Sequence, residues 1–342
     1  MDLAERKKKI LGAIIEAYIS TGEPVGSKML AELTGMGLSS ATIRNEMSEL
    51  VELGFLEQPH TSAGRVPSQN GYRFFVDKLM LRRILTHEET RQIDLLLQIK
   101  ESDLESTLEA AGKVLSQITG CAAVSTSPQD KNVMLRAIEL VPAGRRTVML
   151  VILTSSGVIK NRICRIPDDQ TPEMLRFFAC LVNEKLVNKP LCTIDCIIIE
   201  ISKELFEYTF ALSPILEAVR EEITGILSSE VFLGGEANLF KSSSLNLATL
   251  HEMLNLLEHR EQLMQLIDGI KSGVEVRIGT ENGLLLMQSS SVVASTYAFQ
   301  GKIAGTIGII GPQRMNYAKM VSNLEYFSYA LSRLINNTFG SL

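Results

Sequence analysis

The sequence predicts an α+β chain in which three helices and a short β-hairpin precede a sheet domain interrupted by an insertion. Three observations predict it. The first 83 residues alternate helical periodicity with glycine and proline stops. β-rich stretches lie both before and after a long helical stretch in the remainder. A length of 342 residues exceeds one ordinary core and fits two or three domains.

Composition fits a folded protein, with 45% hydrophobic and 21% charged residues. No apolar run approaches the roughly 18 residues of a membrane span. The start, "MDLAERKKKILGAIIEAYIS", lacks the apolar core and small-residue cleavage site of an export signal, so a cytoplasmic location is expected. Cys121, Cys164, Cys180, Cys192 and Cys196 are odd in number, dispersed, and mostly set among apolar neighbours, which predicts reduced, buried thiols.

Ile10, Leu11, Ile14, Ile15, Tyr18 and Ile19 recur at helical spacing and predict a first helix over about Leu3 to Ser20, ending before "TGEP". Ser27 caps a second, short helix whose Met29, Leu30 and Leu33 face inward, and Gly35 and Gly37 supply the turn out of it. Ser39 or Ser40 caps a third helix that runs to about Leu53 and stops at Gly54. At about 100° per residue, Ile43, Met47, Leu50 and Val51 share one side of it, whereas Ala41, Arg44, Asn45 and Ser48 share the other. "FLEQPHT" and "RVPS" then read as the arms of a hairpin joined through "SAG", with Gly64 available for a positive φ. Pro59 and Pro67 cannot donate to a ladder and suit an edge hairpin without a further sheet partner. "NGYRFFVDKLMLRR" starts a helix whose Tyr72, Phe75 and Leu79 close the small domain and leave Arg73, Arg82 and Arg83 exposed. In order, these elements, residues 1–85, spell a winged helix-turn-helix.

Charge agrees with a nucleic-acid partner. Residues 1–83 hold 11 Lys+Arg against 10 Asp+Glu, and the remainder holds 23 against 29, in a chain of net charge −5. Gln58 to Val76 contains Arg65, Arg73 and His60 and no acid, so a local basic surface can meet a polyanion that the rest of the chain repels. An Arg can bond a guanine bidentately, an Asn an adenine, and free amides at a helix start attract phosphate. The expected DNA-contacting residues are therefore Ser39, Ser40, Ala41, Thr42, Arg44, Asn45 and Ser48 on the third helix, with His60, Thr61, Arg65 and Arg73 on and behind the hairpin. On residue type alone, an ordinary solvated face remains the alternative.

Residues 86–116 are helical and polar, with stripes at Ile93, Leu96, Leu97, Leu104, Leu108 and Leu115, and read as a linker. "CAAVSTS", "LRAIELVP" and "TVMLVILTSSGVIKNRICRIP" are β-rich, and a helix is expected over Pro172 to Val187. "VEVRIG", "LLLMQSSSVVASTYAF" and "KIAGTIGIIGP" return to strand, followed by a helix over Tyr317 to Asn336. Tyr317, Met320, Leu324, Phe327, Leu331 and Leu334 on that helix suit packing on its own sheet or, alternatively, a subunit contact.

Catalytic and metal-binding patterns are missing from the sequence. "GTIGIIGP" fits neither dinucleotide nor phosphate-loop spacing and reads as a packed strand and turn. Cys192 and Cys196 supply only two thiols with no nearby His, and His251 and His259 lack a carboxylate partner pattern. Neither a cofactor nor a metal nor an enzymatic activity is expected. "GGEANLF" reads as a strained turn, structural or else in contact with a ligand or partner.

Three blocks carry a resemblance. "LSSATIRNEMSELVELGFLEQPHTSAGRVPSQNGYRFFVD", "FLGGEANLF" and "GTIGIIGPQRMNYAKMVSNLEYFSYALSRLI" resemble, in order, blocks of the bacterial heat-inducible transcription repressor family, HrcA. The resemblance implies a GAF-like domain over 117–200 and 271–342 with an inserted dimerisation domain over 201–270. It also implies a negative regulator of chaperonin and chaperone operons that binds double-stranded DNA and is released on heat shock. Chaperonin would help maintain the active repressor. A two-fold homodimer presents two recognition helices to successive major grooves, so the operator should be an inverted repeat. Sparse aromatics and an interrupted domain suggest a chain slow to reach its binding state and dependent on chaperonin. The alternative is a DNA-binding regulator that senses a small molecule in the GAF-like domain.

Overall fold

A computed structural model describes residues 3–35, 37–60, 64–99, 103–127, 133–155, 159–167, 171–204, 209–227, 230–241, 247–267, 269–270 and 273–339. Two compact units emerge: residues 1–127 together with 231–342, and residues 128–230.

The first unit opens with helices α1 (Glu5–Thr21), α2 (Ser27–Thr34) and α3 (Ser40–Glu52). α1 buries Ile10, Leu11, Ile14 and Ile15 and ends at Gly22, whose positive φ lets its N–H reach the Tyr18 carbonyl. In the eight-residue α2 Leu30 is buried, whereas Met29 and Leu33, expected inward, are exposed. α3 buries Ile43, Met47 and Leu50 and is capped by Ser39. Strands β1 (Leu56–Glu57) and β2 (Val66–Pro67) pair antiparallel. The hairpin does have a third partner, against expectation: Val25 and Arg65 exchange both backbone hydrogen bonds at 2.9 Å. Pro67 is tolerated because the pairing to Val25 runs through Arg65. Gly64 is likewise a glycine for a different reason than positive φ. A methyl group there would stand 2.5 Å from the Val25 carbonyl oxygen.

Helix α4 (Gln69–Phe74) follows and widens into a π-helical turn at Phe75–Leu79. Gly71 of α4 lets it close on the Phe55 carbonyl, where no Cβ fits. α5 (His87–Leu96) starts with a capping box between Thr86 and Glu89, and α6 (Leu104–Thr119) leads into β3 (Ala122–Thr126). Leu96, expected in a buried stripe, is exposed.

The second unit contains β4 (Leu135–Gly144), β5 (Thr147–Thr154), β6 (Ile159–Arg165), α7 (Pro172–Leu186), α8 (Ile194–Glu204) and α9 (Thr209–Leu227). Its three antiparallel strands turn Ile138, Leu140, Val148, Leu150, Ile152 and Cys164 toward Phe178 and Val182 of α7 and Val219 and Ile223 of α9. Burial of each such side chain contributes on the order of 1.5 to 3 kcal/mol.

The chain then returns to the first unit with β7 (Val231–Gly234), α10 (Asn238–Lys241), α11 (Leu247–Glu258), α12 (Arg260–Ile267), β8 (Val274–Ile278), β9 (Ser290–Phe299), β10 (Lys302–Pro312) and α13 (Tyr317–Phe339). The antiparallel sheet runs β7-β3-β10-β9-β8. Alternation divides its strands: Ala123, Val293, Ile307 and Ile309 pack with α6 and α13, while Ala122, Val124, Val292, Ala294 and Ile310 pack with α11 and α12. Both faces are covered, so the strands read as nearly continuous apolar runs.

The structure departs from several sequence expectations. The separate unit is 128–230, not 201–270, because β4–β6 and α7–α9 share a core of their own while α11 and α12 cover the main sheet. α6 is no linker, since Leu108, Ala111 and Leu115 pack against that sheet. Cys180, Cys192 and Cys196 are exposed, on the outer sides of the second unit's helices and turn, and only Cys121 and Cys164 are buried; all five are free thiols. "GGEANLF" is a structural clasp. Gly234 lies so close to α6 that a Cβ would meet the Gly112 backbone at 2.7 Å, and Asn238 Nδ2 donates to Ser116 Oγ at 2.7 Å. On α13, Tyr317, Met320, Leu324, Phe327 and Leu331 are all buried in the chain's own core.

Candidate nucleic-acid interface

The outward face of α3 is assembled by its cap. Ser39 Oγ accepts from the Thr42 backbone N–H at 3.1 Å and lies 2.9 Å from Thr42 Oγ1, while Ser48 Oγ donates to the Arg44 carbonyl at 3.0 Å. These hydroxyls are engaged locally. Ser40, Ala41, Arg44 and Asn45 are exposed. Among the described residues, Arg44 and Asn45 side chains have no hydrogen-bond or ion-pair partner, so a forked donor and an amide stand ready beside the free amides of the helix start.

Two of the three acids of α3, Glu46 and Glu49, are held on its other side. Lys7 Nζ of α1 lies 2.9 Å from Glu46 Oε2 and 2.8 Å from Glu49 Oε2, and Arg6 Nη1 lies 3.4 Å from Glu46 Oε1. The Lys7 ammonium holds the Glu46 carboxyl below its ordinary value, and the Glu49 and Glu46 carboxylates raise Lys7 in return. Sequence reasoning missed Arg6 and Lys7. The cationic run "ERKKK" was their only signal, and helical periodicity does not say which partner helix it faces.

Along the hairpin, His60 is exposed and Thr61 lies outside the described residues. Arg65, expected among the DNA-contacting residues of the hairpin, is half-buried and its backbone is fixed to Val25. Arg73 is corrected outright. Its Nε donates to Glu281 Oε1 at 2.9 Å, Nη1 to Asp77 Oδ1 at 3.1 Å, and Nη2 to the Val276 carbonyl at 2.5 Å and to Glu281 Oε2. It therefore ties α4 to β8 and the turn after it, and is unavailable to DNA. Gln69 Nε2 donates to Thr280 Oγ1 at 2.8 Å, and Tyr72 packs on Tyr317 with ring centroids 5.8 Å apart. Across from them, Arg314 Nη1 donates to the Ile19 carbonyl at 3.2 Å. The helical unit is thus seated on the sheet by Gln69, Tyr72, Arg73 and Arg314.

Among the described residues, no group of three or more His, Cys, Asp or Glu could hold a metal, and no helix is long and apolar enough to cross a membrane. His259 Nδ1 lies 2.6 Å from the Asn255 carbonyl, closing the end of α11.

Residues 105–321 match the family described as HrcA protein C terminal domain. The chain is 38% identical to the heat-inducible transcription repressor HrcA of Acetivibrio thermocellus, over 99% of this chain and 98% of that one. The chain belongs to the HrcA family. The HrcA of Carboxydothermus hydrogenoformans is also 38% identical, over 97% of this chain and 98% of that one. HrcA is a family of transcription repressors, not of enzymes. The full-length HrcA relatives align across α1–α4 as well, which lie ahead of the matched C-terminal domain. A crystal structure described as that of a hypothetical protein shares the fold, with a TM-score of 0.59 and 24% identity over 98% of this chain and 100% of that one.

Proposed function

We propose that the chain represses heat-shock operons encoding chaperonin and chaperones by binding an inverted-repeat operator as a two-fold dimer. α1–α3 and the β1–β2 hairpin act as a winged helix-turn-helix, with α3 in the major groove and the hairpin as the wing. The observation that carries this reading is the exposed N-terminal half of α3, where Arg44 and Asn45 have no side-chain partner among the described residues and Glu46 and Glu49 are held away by α1. Ser39, Ser40, Ala41, Thr42 and Ser48 complete the helix contact, and His60, Thr61 and Arg65 the wing; Arg73 serves the seat instead.

The five-stranded sheet with its flanking helices is the GAF-like domain, and residues 128–230 are the inserted dimerisation domain. The outer face of the inserted sheet supports dimerisation. Val141, Met149 and Ile163 form one cross-strand row and Ala137, Leu153 and Ile159 another, and Val141, Leu153, Ile159 and Ile163 are exposed. Val151 joins the two rows between Glu139 and Asn161, and apolar surface of this kind marks an interaction site. Heat releases the repressor, and chaperonin assists its return to the binding state.

A gel-shift titration tests the reading. The full chain should prefer an inverted-repeat duplex over a scrambled one of equal length, and equal affinity for both would overturn it.

A further inference from the structure

α3 carries Arg44 against Glu46, Glu49 and Glu52, so the helix that should enter a groove is itself acidic. Counted from Arg44 at about 100° per residue, Glu46 and Glu49 lie roughly 160° and 140° away, on the reverse face. Distance alone does not silence them. A helix with its side chains is about 10 to 12 Å across, close to the Debye length of about 10 Å at 0.1 M salt, so carboxylates on the reverse face still oppose phosphates.

Lys7 answers both acids at once, at 2.9 Å and 2.8 Å, and Arg6 reaches Glu46 from the same turn of α1. Glu46 and Glu49 are also three apart on one helix, where like charges repel, and a single ammonium between them removes that repulsion. The three contacts further fix the rotation of α3 about its axis, because Glu46 is drawn to α1 while Arg44 faces solvent.

We propose that Lys7 is a positioning residue for operator recognition. It touches no DNA; it cancels the reverse-face carboxylates and holds the azimuth at which Arg44 and Asn45 are presented. The proposal rests on the reading of α3 as the recognition helix.

The test uses the full chain and fluorescence anisotropy on an inverted-repeat duplex at several KCl concentrations, with Arg44→Ala as a control. Lys7→Met should weaken binding roughly fivefold to twentyfold near 0.1 M salt, and the deficit should shrink as salt is raised, because the uncovered carboxylates oppose the phosphates through a screened field. Adding Glu46→Gln and Glu49→Gln to Lys7→Met should restore affinity, a rescue that a merely structural role would not give. Glu46→Gln/Glu49→Gln in the presence of Lys7 should bind at least as tightly as the unaltered chain, which keeps the proposal testable if Lys7→Met folds poorly. Unchanged affinity for Lys7→Met overturns the proposal. So does a slope lowered by about one without rescue, which would make Lys7 a direct phosphate contact. So does weaker binding by the double Gln variant. If the unaltered chain and Arg44→Ala both bind without sequence preference, the recognition-helix reading has failed instead.

Discussion

Arg44 stands at the surface of α3, with no side-chain partner among the described residues to lose when it is truncated. Arg44→Ala should therefore leave the melting temperature unchanged while weakening operator binding by about 1 to 3 kcal/mol and relaxing preference at one base pair, as loss of a bidentate base contact does. Binding to a panel of single-base operator variants measures it; unchanged preference would demote Arg44 to a phosphate contact. Its exposure was legible in the sequence because one helix period separates inward from outward residues over a short stretch. The fate of Arg73 was not, because Glu281 lies 208 positions downstream and no local pattern links the two. Gly64 shows a third case: the glycine was noticed, but its reason is the approach of Val25, from another part of the chain.

At the level of elements, two junctions define how the helical unit is held. The α4 junction depends on Glu281, which accepts from Arg73 and also from the Ile278 N–H at 2.8 Å. Glu281→Gln removes the charge and one acceptor from that arrangement and should cost about 1 to 2 kcal/mol in urea unfolding, since hydrogen bonds to charged groups are stronger than neutral ones. The α1–α3 junction is pH-dependent. Glu46 has a lowered folded value, so its contribution is present above its ordinary 4.5 and is lost as pH falls through the lowered value. Lys7 has a raised value, so its contribution is present below its ordinary 10.5 and is lost only as pH rises beyond that. Between those limits the junction is constant. On acidification from about pH 5 to about pH 3, the unaltered chain should lose more stability than Glu46→Gln, a difference that melting curves at the two pH values report. Helix starts follow their sequence cues closely, with Ser39 and Thr86 acting as caps in this region and Thr171 in the second unit. The third partner of the hairpin and the π-helical turn after Phe74 had no such cue; the first is a single residue pair and the second a five-residue stretch continuing a short α-helix.

For the whole molecule, the α+β class and the existence of an insertion were legible, but its position was not. Strand periodicity identifies strands without saying which sheet they join, and β4–β6 carry the same alternation whether they extend the main sheet or found a second one. The outer face of that second sheet gives the prediction at this scale. Ile163→Glu places a charge at the β6 end of an apolar row and should shift the chain toward monomer in sedimentation, with operator affinity falling as paired half-site binding is lost. A dimer of unchanged strength would remove that face from the interface.

Strand β3 is left waiting by this arrangement. Its neighbours β7 and β10 are both made after residues 128–230, which meanwhile can complete a sheet of their own. During synthesis, Ala122–Thr126, buried throughout in the finished protein, therefore has no strand on either edge. The seat for the helical unit is completed later still, because Glu281 follows β8 and Tyr317 opens the last helix. A nascent chain displays α3 long before it possesses the support that fixes it, so the order of translation itself delays the moment at which α3 is held in its finished place.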